Sequence, residues 1–176
     1  MPIGQEVRDT VKSKWATGIQ PRNFIWVIKD SLAVSERPGG TVMSHRRVRR
    51  TEEILWLKGQ GFNLVVSLMD SPYNLHAYDE HQLSWLHFPL NSLRAARSSL
   101  DEIYKSLDNA IRGKDRVLMH EDALSDQVMG VVGAYLIWSR RLVDAAQAIV
   151  VVEQLLKHQL GPVGREIITT TAEELN

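Results

Sequence analysis

The sequence predicts an α/β fold, with a central, largely parallel sheet of four to five strands flanked by helices. Helical and extended patterns alternate at short spacing, with no internal repeat and no low-complexity stretch, which favours layered α/β architecture over a bundle or a sandwich. The run from Phe62 to Leu68 is a short apolar segment bounded by turn residues, the pattern of a strand buried on both faces in a parallel sheet. The stretch from Val128 to Ile137 has too little polar surface to lie outside the fold, so it reads as a central helix.

Residues 1–22 read as a polar N-terminal arm closed by Pro21, and residues 23–176 as one domain. Asn23 to Ile28 reads as a strand because β-branched and aromatic residues dominate it, and Pro38-Gly39-Gly40 ends that region. Thr51 is placed to cap a helix whose first turn holds Glu52 and Glu53, suited to the positive end of the dipole. Ile54, Leu55 and Leu57 face inward on it, and Gly59 and Gly61 stop it. After the strand at Leu64 to Leu68 and the turn Ser71 to Asn74, a short helical stretch covers His76 to Gln82. Trp85, Leu86 and Phe88 then mark a strand over Ser84 to Pro89. A helix starting at Ser98 or Ser99 carries Leu100, Ile103, Tyr104, Leu107 and Ile111 as one apolar stripe and ends before Gly113. Arg116 to His120 is the next strand, and the loop Glu121 to Ser125 leads into the central helix. A last helix runs from about Asp144, an N-cap candidate, to His158, where Gly161-Pro162 breaks the pattern.

The 176 residues carry 21 Lys plus Arg against 21 Asp plus Glu, and no cysteine. A chain of this length buries roughly 70% of its unfolded surface, enough for a core without disulfides or metals. Lack of cysteine excludes a disulfide framework, Cys-ligated zinc or iron–sulfur sites and any cysteine nucleophile, and it fits a reducing compartment. Balanced charge argues against whole-protein attraction to nucleic acid or to an anionic membrane. No run approaches the roughly 18 apolar residues of a membrane span, and Met1 to Lys14 is broken by Glu6, Arg8, Asp9, Lys12 and Lys14, so a cytoplasmic location is expected.

A strand, a short loop and a buried helix form the arrangement in which anions are held, because a helix N-terminus presents unpaired N–H groups. Here that segment reads Val117-Leu118-Met119-His120-Glu121-Asp122-Ala123-Leu124-Ser125-Asp126-Gln127-Val128, then Gly130 and Gly133 to Ile137. It resembles the active-site segment of the cysteine-dependent dual-specificity and tyrosine phosphatases, Val-x-Val-His-Cys-x-x-Gly-x-x-Arg-Ser/Thr followed by a small-residue helix. Asn23 to Val27 with Leu32 to Ser35 and Pro38 looks like the opening of compact bacterial and archaeal members. The helix with Gly61 and the following strand, the stretch His87 to Asn91, and Leu160-Gly161-Pro162-Val163 resemble further family segments, covering residues 23 to about 165. The resemblance implies a phosphatase-like sheet with the site at the loop after His120, and a structural role for His120 behind it.

It also implies that the family's chemistry is missing. Carried over from His120, the nucleophile falls on Glu121, the loop glycine on Leu124, the phosphate-binding arginine on Gln127 and the hydroxyl on Val128; the general acid falls on Asn91 or a neighbour. Glu121, Asp122 and Asp126 stand in a loop with no cation between Arg116 and Arg140. At about 4 Å and an effective dielectric of roughly 20, each carboxylate–phosphate pair repels by about 4 kcal/mol before screening. A helix N-terminus offers only about 0.3–1 kcal/mol in return. Leu124 crowds a position where converging amides favour glycine. The carboxylates have a structural reading as well: Asp126, with Ser125 or Asp122, can cap the buried helix. A metal site from His120, Glu121, Asp122 and Asp126 lacks a spacing signature, so neither a metal nor another cofactor is expected.

Elsewhere, His45-Arg46-Arg47-Val48-Arg49-Arg50, joined by Arg37, forms the densest basic cluster, in an expected loop before the first helix and near the rim of the site. No aromatic residue is interleaved with it, which disfavours nucleic acid relative to a protein partner. A positive rim beside an acidic floor suits a zwitterionic protein surface. Trp26, Trp56, Trp85 and Trp138 are expected in the core or half-buried, and Trp15 could dock the arm or a partner. His76, His81 and His87 have no zinc spacing, and Ser35, Ser44, Ser67 and Ser125 no Gly-x-Ser-x-Gly elbow. The expected function is that of a catalytically inactive phosphatase-like protein that binds a protein partner, with possible contacts at Arg46, Arg47, Arg49, Arg50 and Trp15. The alternatives are a phosphoester hydrolase with non-cysteine chemistry built on Glu121, and a nucleic-acid-binding module built on the Arg46–Arg50 cluster. The partner's identity and the oligomeric state stay open.

Overall fold

The computed structural model describes residues 18–90 and 93–175, apart from the side chains of 93–98. Trp15, with the arm up to residue 17, and Asn91 lie outside the described residues. The elements run β1 (Ile25–Ile28), β2 (Leu32–Ser35), α1 (Arg47–Gly59), β3 (Leu64–Ser67), α2 (His76–Glu80), β4 (Ser84–His87), α3 (Leu93–Arg112), β5 (Val117–His120), α4 (Asp126–Trp138), α5 (Ala145–Leu156) and α6 (Pro162–Glu174).

Five strands form one sheet in the order β1-β2-β5-β3-β4, parallel throughout except for the β1–β2 hairpin at one edge. The mixed α/β class and the largely parallel sheet are those the sequence predicts. Each face of the sheet supports its own core. On one side Ile54, Leu57, Phe62, Leu75, Tyr78 and Leu83, from α1, α2 and their connections, cover Ala33, Val65 and Leu118. On the other, α3 to α6 cover Leu32, Val34, Val66, Val117 and Met119. The register aligns Ser35, His120, Ser67 and His87 in a polar row at the C-terminal ends of the four parallel strands. That is the edge at which ligands of open α/β sheets sit.

Several boundaries depart from the sequence prediction. The basic cluster is not a loop, because α1 begins at Arg47. Arginine is a good helix former, and Glu53, expected in the first turn, instead sits a turn further in, 1% exposed, where it receives Arg49 Nε at 2.7 Å and the Gly39 N–H at 2.7 Å. Thr51 caps nothing; its hydroxyl bonds back to the Arg47 carbonyl at 3.2 Å. Helix α3 starts at Leu93, ahead of Ser98. The helix ending near His158 is not the last. α5 already ends at Leu156 with Lys157 in the left-handed region, and Gly161-Pro162 instead starts α6, since a proline at the first helical position has its φ preset and gives up an N–H that would be unpaired anyway.

Asp144 caps α5 as expected, accepting the Gln147 N–H at 2.8 Å. Helix α4 is central as predicted, with every residue from Val128 to Ile137 buried. Its approach to α6 is backbone to backbone: a Cβ on Gly130 would lie 2.6 Å from Gly164 Cα, and one on Gly164 would lie 2.6 Å from the Asp126 carbonyl. No helix among the described residues is long and apolar enough to cross a membrane. Gly130→Ala is expected to force α4 and α6 apart and lower stability by about 1–3 kcal/mol, read from the urea unfolding midpoint. An unchanged midpoint would mean that the helices can separate at no cost.

Candidate functional site

The loop between β5 and α4 opens at the polar row of strand ends, and each of its polar side chains has a partner. His120 is buried under it. Its Nδ1 lies 3.1 Å from the Glu121 carbonyl and its Nε2 3.0 Å from the Tyr78 hydroxyl. A carbonyl can only accept, so Nδ1 carries the proton and the Tyr78 hydroxyl donates to Nε2. Burial pushes the His120 pKa down to about 4, helped by the positive charge of Arg37 and opposed by the bond to the Glu121 carbonyl, so the ring is neutral near pH 7. Burial likewise raises the Tyr78 pKa, which keeps its donor proton in place.

Glu121, where the resemblance puts the nucleophile, receives the Ser125 hydroxyl at 2.5 Å. Its pKa is raised by burial, against the hydroxyl, with Asp70 and Asp122 adding repulsion. Asp122 accepts the Val42 N–H at 2.9 Å and lies 3.6 Å from Arg37 Nη1. Ser125 is the N-cap of α4, accepting the Val128 N–H at 3.2 Å. Ala123 is exposed, whereas Leu124 is half-buried against the larger core and lines a cavity with Phe24, Leu155 and Leu156. Gln127, where the arginine would stand, donates to the Leu90 carbonyl at 3.1 Å, and Val128 is wholly buried. The connection after β4 therefore reaches the loop at Leu90, next to Asn91, which is outside the described residues.

Two expectations change here. Asp126 does not cap its own helix: its two carboxylate oxygens accept the N–H groups of Gly161 at 2.6 Å and Gly164 at 2.7 Å, so it caps α6. Nor are the loop carboxylates without a cation. Arg37, 4% exposed at the end of β2, brings a guanidinium to Asp122 and donates to the Tyr73 carbonyl at 3.4 Å. The sequence carries no local signal for that pairing, since the partners lie far apart in the chain. His120, Glu121, Asp122 and Asp126 are turned to separate partners, and among the described residues no three His, Asp or Glu side chains converge as a metal site would need. The basic cluster divides. Arg46 and Arg47 are exposed, Arg49 is ion-paired to Glu53 and Glu36, and Arg50 is buried.

Two measurements follow from this geometry. Asp126→Ala should cost about 1–2 kcal/mol through the lost α6 cap, with Asp126→Asn keeping part of it; equal stability of all three proteins would remove Asp126 from that role. His120 has a folded pKa below its unfolded one of about 6.5, so its contribution is complete above pH 6.5 and is lost as pH falls toward 4, by up to about 3 kcal/mol. Glu121 works in the opposite sense, its contribution being present at low pH and lost as pH rises through its raised pKa. Urea midpoints between pH 4 and 6.5 should therefore climb with pH in the native chain and flatten in His120→Gln.

A scan against protein-family models matches none, and a search of curated proteins finds no match. Solved structures do match. Tk-PTP in its active form superposes with a TM-score of 0.66 at 21% identity, covering 86% of this chain and 97% of its own. Kinase-associated phosphatase, with its catalytic cysteine replaced by serine, gives a TM-score of 0.72 at 16% identity, covering 89% of this chain and 97% of that one. Human DUSP28 gives 0.65 at 17% identity, with 89% and 99% covered. With β5, the loop and α4 in this arrangement, the chain carries the fold of the dual-specificity and tyrosine phosphatases.

Proposed function

We propose that this phosphatase-fold domain does not hydrolyse phosphoesters and acts by binding a protein partner, with the β5–α4 loop and its rim forming part of the contact surface. The observation that carries this reading is the use already made of the polar side chains of the loop and the first turn of α4: Glu121 with Ser125, Asp122 with Arg37 and Val42, Asp126 with α6, Gln127 with Leu90. With no cysteine in the chain and no arginine in the loop, a phosphoryl group would meet carboxylates in place of a nucleophile and a cationic fork. Arg37 offsets one of those carboxylates and is itself held by it.

The rim supports a protein as the partner. Val42, Met43 and Tyr73 are 67%, 94% and 71% exposed, and the first and last belong to segments tied to the loop through Asp122 and Arg37. Large apolar side chains grouped beside a polar floor are typical of protein contact surfaces. With Arg49 and Arg50 drawn into the body, Arg46 and Arg47 make a short basic edge, too small for a stripe that tracks nucleic-acid phosphates.

One observation favours the competing reading, a hydrolase with non-cysteine chemistry: Glu121 is half-buried with a raised pKa, the state in which a carboxyl serves in proton transfer. Calorimetric titration with tungstate separates the two. The binding role predicts no site up to millimolar oxyanion and no turnover of an aryl phosphate. A stoichiometric micromolar site, or turnover that disappears in Glu121→Gln, would overturn it in favour of the hydrolase.

A further inference from the structure

A cavity of about 500 Å³ opens where α1 begins. Its wall takes Arg22 from the segment ahead of β1, Arg46 and Arg49 from the start of α1, and Ser44 from the connection before it; Ile19 and Val48 form apolar edges, and Glu52 is the carboxylate in the lining. Sequence reading placed Arg22 in the arm and gave it no role.

The three arginines are not equivalent. Arg49, its side chain 14% exposed, is the fixed one: Nε donates to Glu53 at 2.7 Å and Nη2 to Glu36 at 3.4 Å. Two buried carboxylates thus hold the plane of its guanidinium and leave Nη1 beside Gly40, where an added Cβ would stand 3.0 Å from it and 3.0 Å from the Ser44 hydroxyl. Arg22 and Arg46 are exposed, and neither guanidinium has a hydrogen bond or ion pair among the described residues. Glu36 and Glu53 hold Arg49 from behind and exceed it by one negative charge. The cations free to meet an occupant are Arg22 and Arg46, with exposed Arg47 at the next position; they outnumber Glu52 and the one charge by which Glu36 and Glu53 exceed Arg49.

The occupant has to match that charge and the apolar edges together. Guanidinium forks take carboxylates through paired N–H groups. Ile19 and Val48, 50% and 76% exposed, offer an apolar contact that a free oxyanion would leave uncovered. Among the described residues no aromatic side chain lines the cavity to stack a base. We propose that this cavity docks an acidic peptide segment of a protein partner, its carboxylates held by Arg22 and Arg46 and an adjacent apolar side chain resting on Ile19 and Val48. The proposal rests on the protein-binding role given above and adds to it a second surface and the chemistry of what that surface recognises.

The test is fluorescence anisotropy of the full chain with a labelled short peptide of alternating glutamate and leucine. Its controls are the same peptide with glutamine for glutamate, an oligothymidylate of equal charge, and inorganic phosphate as competitor. Saturable micromolar binding is expected, weakening by at least about tenfold in the double variant Arg22→Glu with Arg46→Glu and weakening with salt. The double variant Lys29→Glu with Lys105→Glu makes the same charge change at exposed positions outside the cavity, and it should leave binding within about twofold. The proposal is overturned by equal binding of the glutamine peptide, by oligothymidylate binding as tightly at the same arginines, by displacement with phosphate alone, or by no effect of the Arg22 and Arg46 reversal. Tungstate binding or aryl phosphate turnover at the loop would instead overturn the non-catalytic reading, whatever the peptide does, so the two failures are distinguishable.

Discussion

Because α4 shows no face to solvent, the molecule has to satisfy its ends and pack its sides without water, and most of the architecture around the candidate site follows from that. The sheet closes one side and α3, α5 and α6 the others, with the Gly130–Gly164 contact setting how near α6 can come. Such closeness brings the first residue of α4 to the first turn of α6, which is why the Asp126 carboxylate can serve a neighbouring helix and leave Ser125 to serve its own. An aspartate at that place removes the need for any ligand at the start of α6. The loop is held by Ser125 on Glu121 from within and by Arg37 and Val42 on Asp122 from outside.

The sequence was most informative where burial alone decides structure. The strand at Leu64, the strand at Val117 and the apolar helix after it lie where hydrophobic pattern and turn residues place them, since no alternative buries so much apolar surface. It was least informative where polar side chains acted at a distance. Thr51 followed by two glutamates is a sound local cap signal, yet the helix extends back through arginines of which Arg49 pairs with a buried Glu53. Pro162 was legible as a break, though its position as first residue of another helix depends on how α6 packs across α4.

At the site, the order of residues from His120 to Val128 placed a loop between a strand and a buried helix, as the structure has it, and the family resemblance supplied the expectation of which groups stand there. What local sequence could not supply were partners far along the chain: Tyr78 for His120, Arg37 for Asp122, Leu90 for Gln127 and α6 for Asp126. Each is a contact between segments joined only by the fold. Charge counting along the loop therefore overstated its isolation, because Arg37 is adjacent in space and remote in sequence.

The segment from Glu36 to Ser44 touches both surfaces at once. Arg37 and Val42 hold Asp122 of the β5–α4 loop, and interleaved with them Glu36 holds Arg49, Gly39 gives its N–H to Glu53, and the Gly39 carbonyl receives the Arg46 N–H at 2.8 Å. A short strap bonded to both neighbours through alternating residues is a mechanical link. Whatever free energy an occupant of one surface spends in shifting that strap is felt at the other, and thermodynamic reciprocity requires the effect to be equal in both directions. Two ligands on this domain, one at each surface, would act as each other's effectors to the extent that each displaces that strap.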